Sequence, residues 1–408
     1  MRMNKKKEVV PKLRFPGYIG NKLRITKLGK ISSVVKEKAG DNRYILMSVT
    51  SGIGLVPQAE KFGREIAGAS YKNYIVVKKY DFAYNKSATK QFPEGYISML
   101  REYDIAAVPN SIFTCFRITD SESYPPFFEY LWNNNYHGHW LRKYIEVGAR
   151  AHGALSVDTK HLWSMPLALP DFKEQQKIAD CLSSIDDLIN AEGRKLKALK
   201  KYKKGLMQKL FPTEGKVLPE WRFPEFSKND KWKINSLDHL CTMQAGKFID
   251  SSEISDERKD DMYPCFGGNG LRGYTSTYNC SGNHPLIGRQ GALCGNVTFA
   301  AGEFYATEHA IVVTNKKDIE VKFLYCLLEH LRLNQYATGQ AQPGLAVQTL
   351  EKVTAFYPRE TKEQKKIADC LSEIDVFITE QSKKVEQLKA HKKGLMQGLL
   401  PSLEEADI

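Results

Sequence analysis

A 40-residue segment that occurs twice, 189 positions apart, constrains this chain more than any other feature. KEQQKIADCLSSIDDLI, beginning at Lys173, returns as KEQKKIADCLSEIDVFI, beginning at Lys362. The alignment runs without a gap to Pro212 and Pro401, with 24 identical positions. A shorter echo precedes each copy, Pro11-Lys-Leu-Arg-Phe-Pro16 and Pro219-Glu-Trp-Arg-Phe-Pro224. Solenoid units repeat every ~20 to 50 residues, because each must stack on its neighbour. A period of 189 marks instead a duplicated two-part unit, in which a globular module is followed by the repeated segment.

The repeated segment has helical periodicity. Steps of four and three from Ile178 land on Leu182, Ile185, Ile189, Glu192, Leu196, Leu199, Lys203, Leu206 and Leu210. The second copy gives Ile367, Leu371, Ile374, Ile378, Gln381, Val385, Leu388, Lys392, Leu395 and Leu399, with polar residues at the same two steps. Both patterns are coiled-coil seams. A helix of this length spans ~57 Å at 1.5 Å per residue and needs a long partner. The other copy is the natural partner, in an antiparallel pair about a pseudo-twofold axis. Glu192 and Gln381 would help set its register, whereas Lys203 and Lys392 are expected to reach solvent. The early acidic and late basic residues of the first copy suit the helix dipole.

Composition narrows the class. The 408 residues are 42% apolar and 26% charged, and no run approaches the ~20 apolar residues of a membrane helix. The basic N-terminus MRMNKKKEVVPKLRF has no apolar run behind it, so a secretory signal is not supported and a cytoplasmic protein is expected. Eight cysteines include no C-x-x-C pair, and Cys280 with His284 is the nearest approach to a ligand pair, so no metal is expected. A net charge of +13 favours a polyanionic partner.

The stretches 12–170 and 220–358 read as mixed α and β. Short β-rich runs occur at Tyr74–Val77, Ser111–Arg117 and Ala310–Val313, and helices are expected at Phe127–Trp132 and Val321–Leu333. The expected fold class is α+β, with two mixed modules separated by two long antiparallel coiled-coil helices. The expected domains are residues 1–170, a central helix over 171–212, residues 213–360, and a C-terminal helix over 361–408.

Two strings imitate a DNA methyltransferase. Phe266-Gly-Gly-Asn-Gly270 fits F-x-G-x-G, but a cofactor-cradling string must open a helix, and here more turn residues follow. Tyr124-Pro-Pro-Phe127 has Tyr where Asp, Asn or Ser must hold the target amino group. No catalytic residue is therefore assigned. In the glycine-rich second module, Asn269, Arg272, Arg289 and Gln290 carry the side-chain types that bond base edges bidentately, and Lys247 is a DNA-binding candidate beside them. The comparable loop residues of the first module are Thr50, Ser51, Asn85, Lys86, Ser87 and Lys90.

Two modules alternating with two nearly identical helices, each opening K-E-Q-x-K-I-A-D-C-L-S and closing K-K-G-L-M-Q, resemble the specificity subunits of type I restriction-modification systems. Tyr263–Tyr274 and Ile287–Ala292 are similar to strings of that family's target-recognition domains. The resemblance implies that each module reads one half of a split, asymmetric DNA sequence and that the helices set the spacer. It also implies two adenine methyltransferase subunits and ATP-driven endonuclease subunits as partners, with S-adenosylmethionine, ATP and Mg carried by those partners. A specificity subunit serving a restriction system with a fused nuclease-methyltransferase partner is the alternative.

Overall fold

The computed structural model describes residues 11–87, 89–111, 113–145, 150–151, 154–155, 158–213, 215–228, 231–291, 293–339 and 343–402. The N-terminal residues 1–10, Ile112 and Ala292 lie outside them. The chain is a mixed α/β structure that divides into two compact units, residues 1–191 with 385–408 and residues 192–384. Each repeated segment forms one uninterrupted helix and contributes one half to each unit.

In the first unit, β1 (Arg24–Lys27), α1 (Leu28–Ile31) and β2 (Ser32–Val34) lead to the hairpin β3 (Met47–Thr50) and β4 (Gly54–Pro57), then α2 (Gln58–Phe62). There follow β5 (Ile75–Lys78), β6 (Phe82–Asn85), β7 (Tyr96–Met99), β8 (Ile105–Val108) and β9 (Phe113–Ile118). The order β2-β9-β6-β7 makes an antiparallel sheet, and β5 pairs with β8. Next come α3 (Pro125–Asn133), α4 (Tyr136–Leu141), a two-residue ladder of β10 (Arg150–Ala151) with β11 (Ala154–Leu155), and α5 (Thr159–Trp163). Strand β12 (Pro166–Leu169) returns antiparallel to β1, and the chain enters α6 (Phe172–Leu210).

The second unit repeats this frame around a different sheet. Strand β13 (Lys233–Ser236), α7 (Leu237–Leu240) and β14 (Cys241–Ala245) are followed by β15 (Tyr263–Gly267), β16 (Gly270–Thr275), β17 (Cys280–Gly288), β18 (Val297–Ala306) and β19 (Ala310–Asn315). They form a six-stranded sheet in the order β14-β19-β17-β18-β15-β16. After α8 (Val321–His330) and α9 (Val347–Glu351), β20 (Thr354–Tyr357) pairs antiparallel with β13 and leads into α10 (Thr361–Leu399).

The strings common to both copies explain why both frames close alike. Glu174 of α6 takes two hydrogen bonds from Arg14, 2.9 Å from Nε and 2.5 Å from Nη2, and Glu363 of α10 takes two from Arg222, 2.7 and 2.8 Å. All four side chains are at least 87% buried. Each arginine belongs to an Arg-Phe-Pro echo, and the lysine three residues after each glutamate sits over the phenylalanine of that echo. The neighbouring glutamines tie down the loop that enters the module helix. Gln175 accepts from the Tyr124 amide and donates to the Glu122 and Pro170 carbonyls. Gln364 accepts from the Glu320 amide and donates to the Asp318 and Pro358 carbonyls.

The Ile-Ala-x-x-Leu of each copy enters a module core. Ile178, Ala179 and Leu182 pack with Phe127, Phe128 and Leu131 of α3, and with Met396 and Leu399 of α10. Ile367, Ala368 and Leu371 pack with Phe323, Leu324 and Leu327 of α8, and with Leu206 and Leu210 of α6. Each fully buried leucine contributes roughly 1.5–3 kcal/mol. All sixteen apolar seam residues are buried or half-buried.

Lys203 and Lys392 do not reach solvent as expected, being only 12% and 19% exposed. Lys392 bonds Asp186 at 2.6 Å over the ring of Tyr130, and Lys203 bonds Asp375 at 2.8 Å over Tyr325. Lys203 also meets Glu329 at 2.9 Å. Each long side chain thus lays its stem on an aromatic ring and its ammonium on a carboxylate, a combination that outweighs hydration. Within the second unit, Gln381 donates to both the carbonyl and Oε2 of Glu192.

His137 is a buried histidine in the first unit, with Nε2 3.3 Å from the Gly95 carbonyl. Burial pulls its pKa down to about 4. Between about pH 6.5, where an unfolded histidine titrates, and pH 4, the unfolded chain takes up a proton that the folded chain refuses. Stability is therefore full above pH 6.5 and falls with pH through that window, by up to ~1.4 kcal/mol per unit. Urea unfolding at pH 7, 6 and 5 is expected to give a shallower pH slope for His137→Gln than for the parent chain; equal slopes would contradict this.

Candidate nucleic-acid interface

In the second unit the glycine strings make turns that bring distant loops together. Gly268-Asn269 is the two-residue turn between β15 and β16, closed by Gly270 at φ +88°. A Cβ on Gly288 would lie 2.1 Å from the Gly268 carbonyl oxygen, so only glycine lets the β15–β16 turn rest on the end of β17. From there the Arg289 amide donates to the His309 carbonyl at 2.8 Å, and the Leu345 amide donates to the Arg289 carbonyl at 2.9 Å. The Lys247 amide donates to the Ala306 carbonyl at 3.0 Å, and the Thr307 amide to the Phe266 carbonyl at 2.9 Å.

Four candidates of this module, Lys247, Asn269, Arg289 and Gln290, therefore stand on loops that meet around residues 306–309. Lys247, Asn269 and Gln290 are exposed and Arg289 is half-buried. Arg272 is exposed on β16, where Nη2 donates to Ser251 Oγ at 2.8 Å. The cluster also contains two residues that sequence reasoning missed, Glu308 and His309. Their Oε1 and Nε2 are 3.1 Å apart, and Glu308 Oε2 is buried without a hydrogen-bond partner among the described residues. The available signal was a charged pair inside a three-residue turn joining two apolar runs.

The first unit gathers its six candidates on two adjoining loops. Thr50 ends β3, and the Ile53 amide closes the turn on the Thr50 carbonyl at 3.0 Å. The position of a Gly52 Cβ lies 3.3 Å from the Phe92 ring, which belongs to the β6–β7 connection. That connection carries Lys86, Ser87 and Lys90, of which Lys90 is exposed. Asn85 is 9% exposed and its Oδ1 accepts from the Ser87 amide at 2.9 Å, so it shapes the turn. Ser51 is half-buried in the β3–β4 turn, and Thr50 Oγ1 is buried without a partner among the described residues.

The two methyltransferase-like strings have other places. Phe266–Gly270 spans the β15–β16 turn and opens no helix, and Tyr124 precedes α3, whose first two residues are Pro125 and Pro126. Among the described residues, no helix is long and apolar enough to cross a membrane.

Residues 229–390 match the family described as Type I restriction modification DNA specificity domain. The chain is 44% identical over 155 residues to the Type I restriction enzyme EcoprrI specificity subunit of Escherichia coli, covering 37% of this chain and 38% of that protein. It is 25% identical over 284 residues to the Type I restriction enzyme MjaVIII specificity subunit of Methanocaldococcus jannaschii, covering 63% and 66%. The matches thus span less than two thirds of these relatives' own length. Among solved structures, the type I restriction-modification S subunit from M. genitalium superposes with a TM-score of 0.63 at 17% identity, covering 97% of this chain and all of that one. That likeness is one of fold.

Proposed function

We propose that this chain, whose residues 229–390 match the type I restriction modification DNA specificity domain and which is similar to type I specificity subunits, is the DNA-reading component of such a complex and has no catalytic centre of its own. Each module reads one half of a bipartite, asymmetric duplex target. One observation carries this reading: the same Arg–Glu clamp and glutamine ties recur in both units, while the loop clusters stand on unlike sheets, four-stranded in one unit and six-stranded in the other. A duplicated frame with unlike loops is what an asymmetric target requires, because phosphate contacts position a reader and side chains at base edges specify it.

The two 39-residue helices form the spacer, as an antiparallel coiled coil related by a pseudo-twofold axis. What supports the pairing is that Asp186 with Lys392 and Asp375 with Lys203 are the same two positions of the repeat, taken in opposite order. Exposed apolar side chains, Leu188 on α6 and Val376 and Phe377 on α10, give two methyltransferase subunits surface to dock on. Endonuclease subunits complete the complex, in the cytoplasm. S-adenosylmethionine, ATP and Mg belong to those partners. The names of the relatives do not favour the alternative of a fused nuclease-methyltransferase partner.

Retention of a random duplex library on the chain together with its methyltransferase partners, followed by sequencing, tests this function. Two short enriched words at a fixed separation are expected, bound about 10³-fold or more tighter than unrelated duplex. Retention that falls with salt yet enriches no sequence would identify a scaffold that holds DNA only by its phosphates.

A further inference from the structure

Among the described residues, the buried carboxylate oxygens divide into those the fold has satisfied and one it has not. The four carboxylate residues buried there are completed on both oxygens. Asp81 is held by Arg117, Glu94 by Arg142 and Asn135, Glu174 by Arg14, and Glu363 by Arg222. Glu308 differs. Its side chain is 30% exposed, its Oε1 faces His309 Nε2 at 3.1 Å, and its Oε2 has neither water access nor a donor among the described residues. An unpartnered buried oxygen is a standing penalty that a native structure keeps only for a reason. The residue stands in the turn onto which the loops of Lys247, Asn269, Arg289 and Gln290 converge.

We propose that Glu308 is a specificity-determining residue of the second module, whose free oxygen accepts a hydrogen bond from an exocyclic amino group, cytosine N4 or adenine N6, in the major groove of duplex DNA. The role rests on the DNA-reading function above. Phosphates repel a carboxylate and offer it no proton, whereas an amino group on a base edge is the DNA donor that can satisfy it in the major groove. His309, 43% exposed, keeps one oxygen oriented while the other turns outward, a side-chain change common on binding. The carboxylate thereby complements its neighbours: arginine and lysine donate to guanine, asparagine and glutamine pair with adenine, and glutamate or aspartate accepts from cytosine N4.

The test compares the parent chain with E308Q and E308A, each assembled with its methyltransferase partners, in random-duplex selection. Glutamine keeps the shape and exchanges one acceptor for a donor, and alanine removes both. Preference at one base pair of the second half-site is expected to fall about tenfold or more. The other positions of that half-site, the first half-site, the spacing and the thermal midpoint are expected to stay as they were. An unchanged motif in both variants overturns this role alone. Uniform loss of preference across the second half-site, with a lowered midpoint, assigns Glu308 to the fold and also overturns it. A parent chain that enriches no sequence overturns the DNA-reading function and this role with it.

Discussion

Replacing Arg222 with alanine lowers the stability of the second unit by about 3–5 kcal/mol, because Glu363 is left as a buried charge without its partner. Arg222 is 13% exposed and Glu363 2%, and that carboxylate also accepts from Trp232 Nε1, 3.2 Å from Oε1. Against a total of roughly 5–15 kcal/mol for a native domain, such a loss is severe. Arg14→Ala is expected to do the same to the first unit, where the pair is 5% and 1% exposed. Removing both charges together, as in Arg222→Met with Glu363→Leu, restores most of the loss, since a well-packed apolar pair avoids the desolvation of two ions. The Lys72–Asp41 pair, 67% and 87% exposed, is worth no more than about 1 kcal/mol and serves as the control. Urea midpoints of the single and double variants decide the matter. A loss under ~1 kcal/mol for Arg222→Ala would show that the clamp does not hold module to helix.

The clamp also marks where sequence reasoning stopped. The Arg-Phe-Pro echo was legible as a repeat, but its partner glutamate lies 160 residues away in one copy and 141 in the other. The long helices were legible almost to their ends, because a one-sided apolar pattern sustained over ten steps has no other reading. The same pattern misled at Lys203 and Lys392. Periodicity tells which face a residue occupies and not which distant carboxylate waits there; Glu329 is 126 positions from Lys203.

In the candidate interface, glycine turns could be read locally, and Asn269, Arg289 and Gln290 do stand on such turns. The convergence of their loops depends on strand pairing across β15, β17 and β18, which no local signal carries. Glu308 and His309 were missed for that reason. At Asn85 a polar loop residue has its side-chain oxygen bonded within its own turn, a contact that composition alone does not reveal.

If the two units read DNA separately, exchanging residues 12–170 for the matching module of a related specificity subunit replaces one half of the target and leaves the other half intact. The physical ground is that each loop cluster is carried by its own sheet, β2-β9-β6-β7 with its neighbouring hairpins in one unit and the six-stranded sheet in the other. Each frame is also fastened to its own helix start by its own arginine. The exchanged segment brings its own Arg-Phe-Pro arginine to a Glu174 that stays in place, so the junction is expected to close as before. Single base-pair changes in a half-site typically cost about 1–3 kcal/mol each, roughly additively. Changing three such pairs should thus lose the old target by about two or more orders of magnitude, with a gain of similar size for the new one. The decisive measurement is random-duplex selection on the parent and exchanged chains, each with its methyltransferase partners. The account predicts a new first word with the second word and the spacing between them unchanged; a change in both words, or in neither, would contradict it.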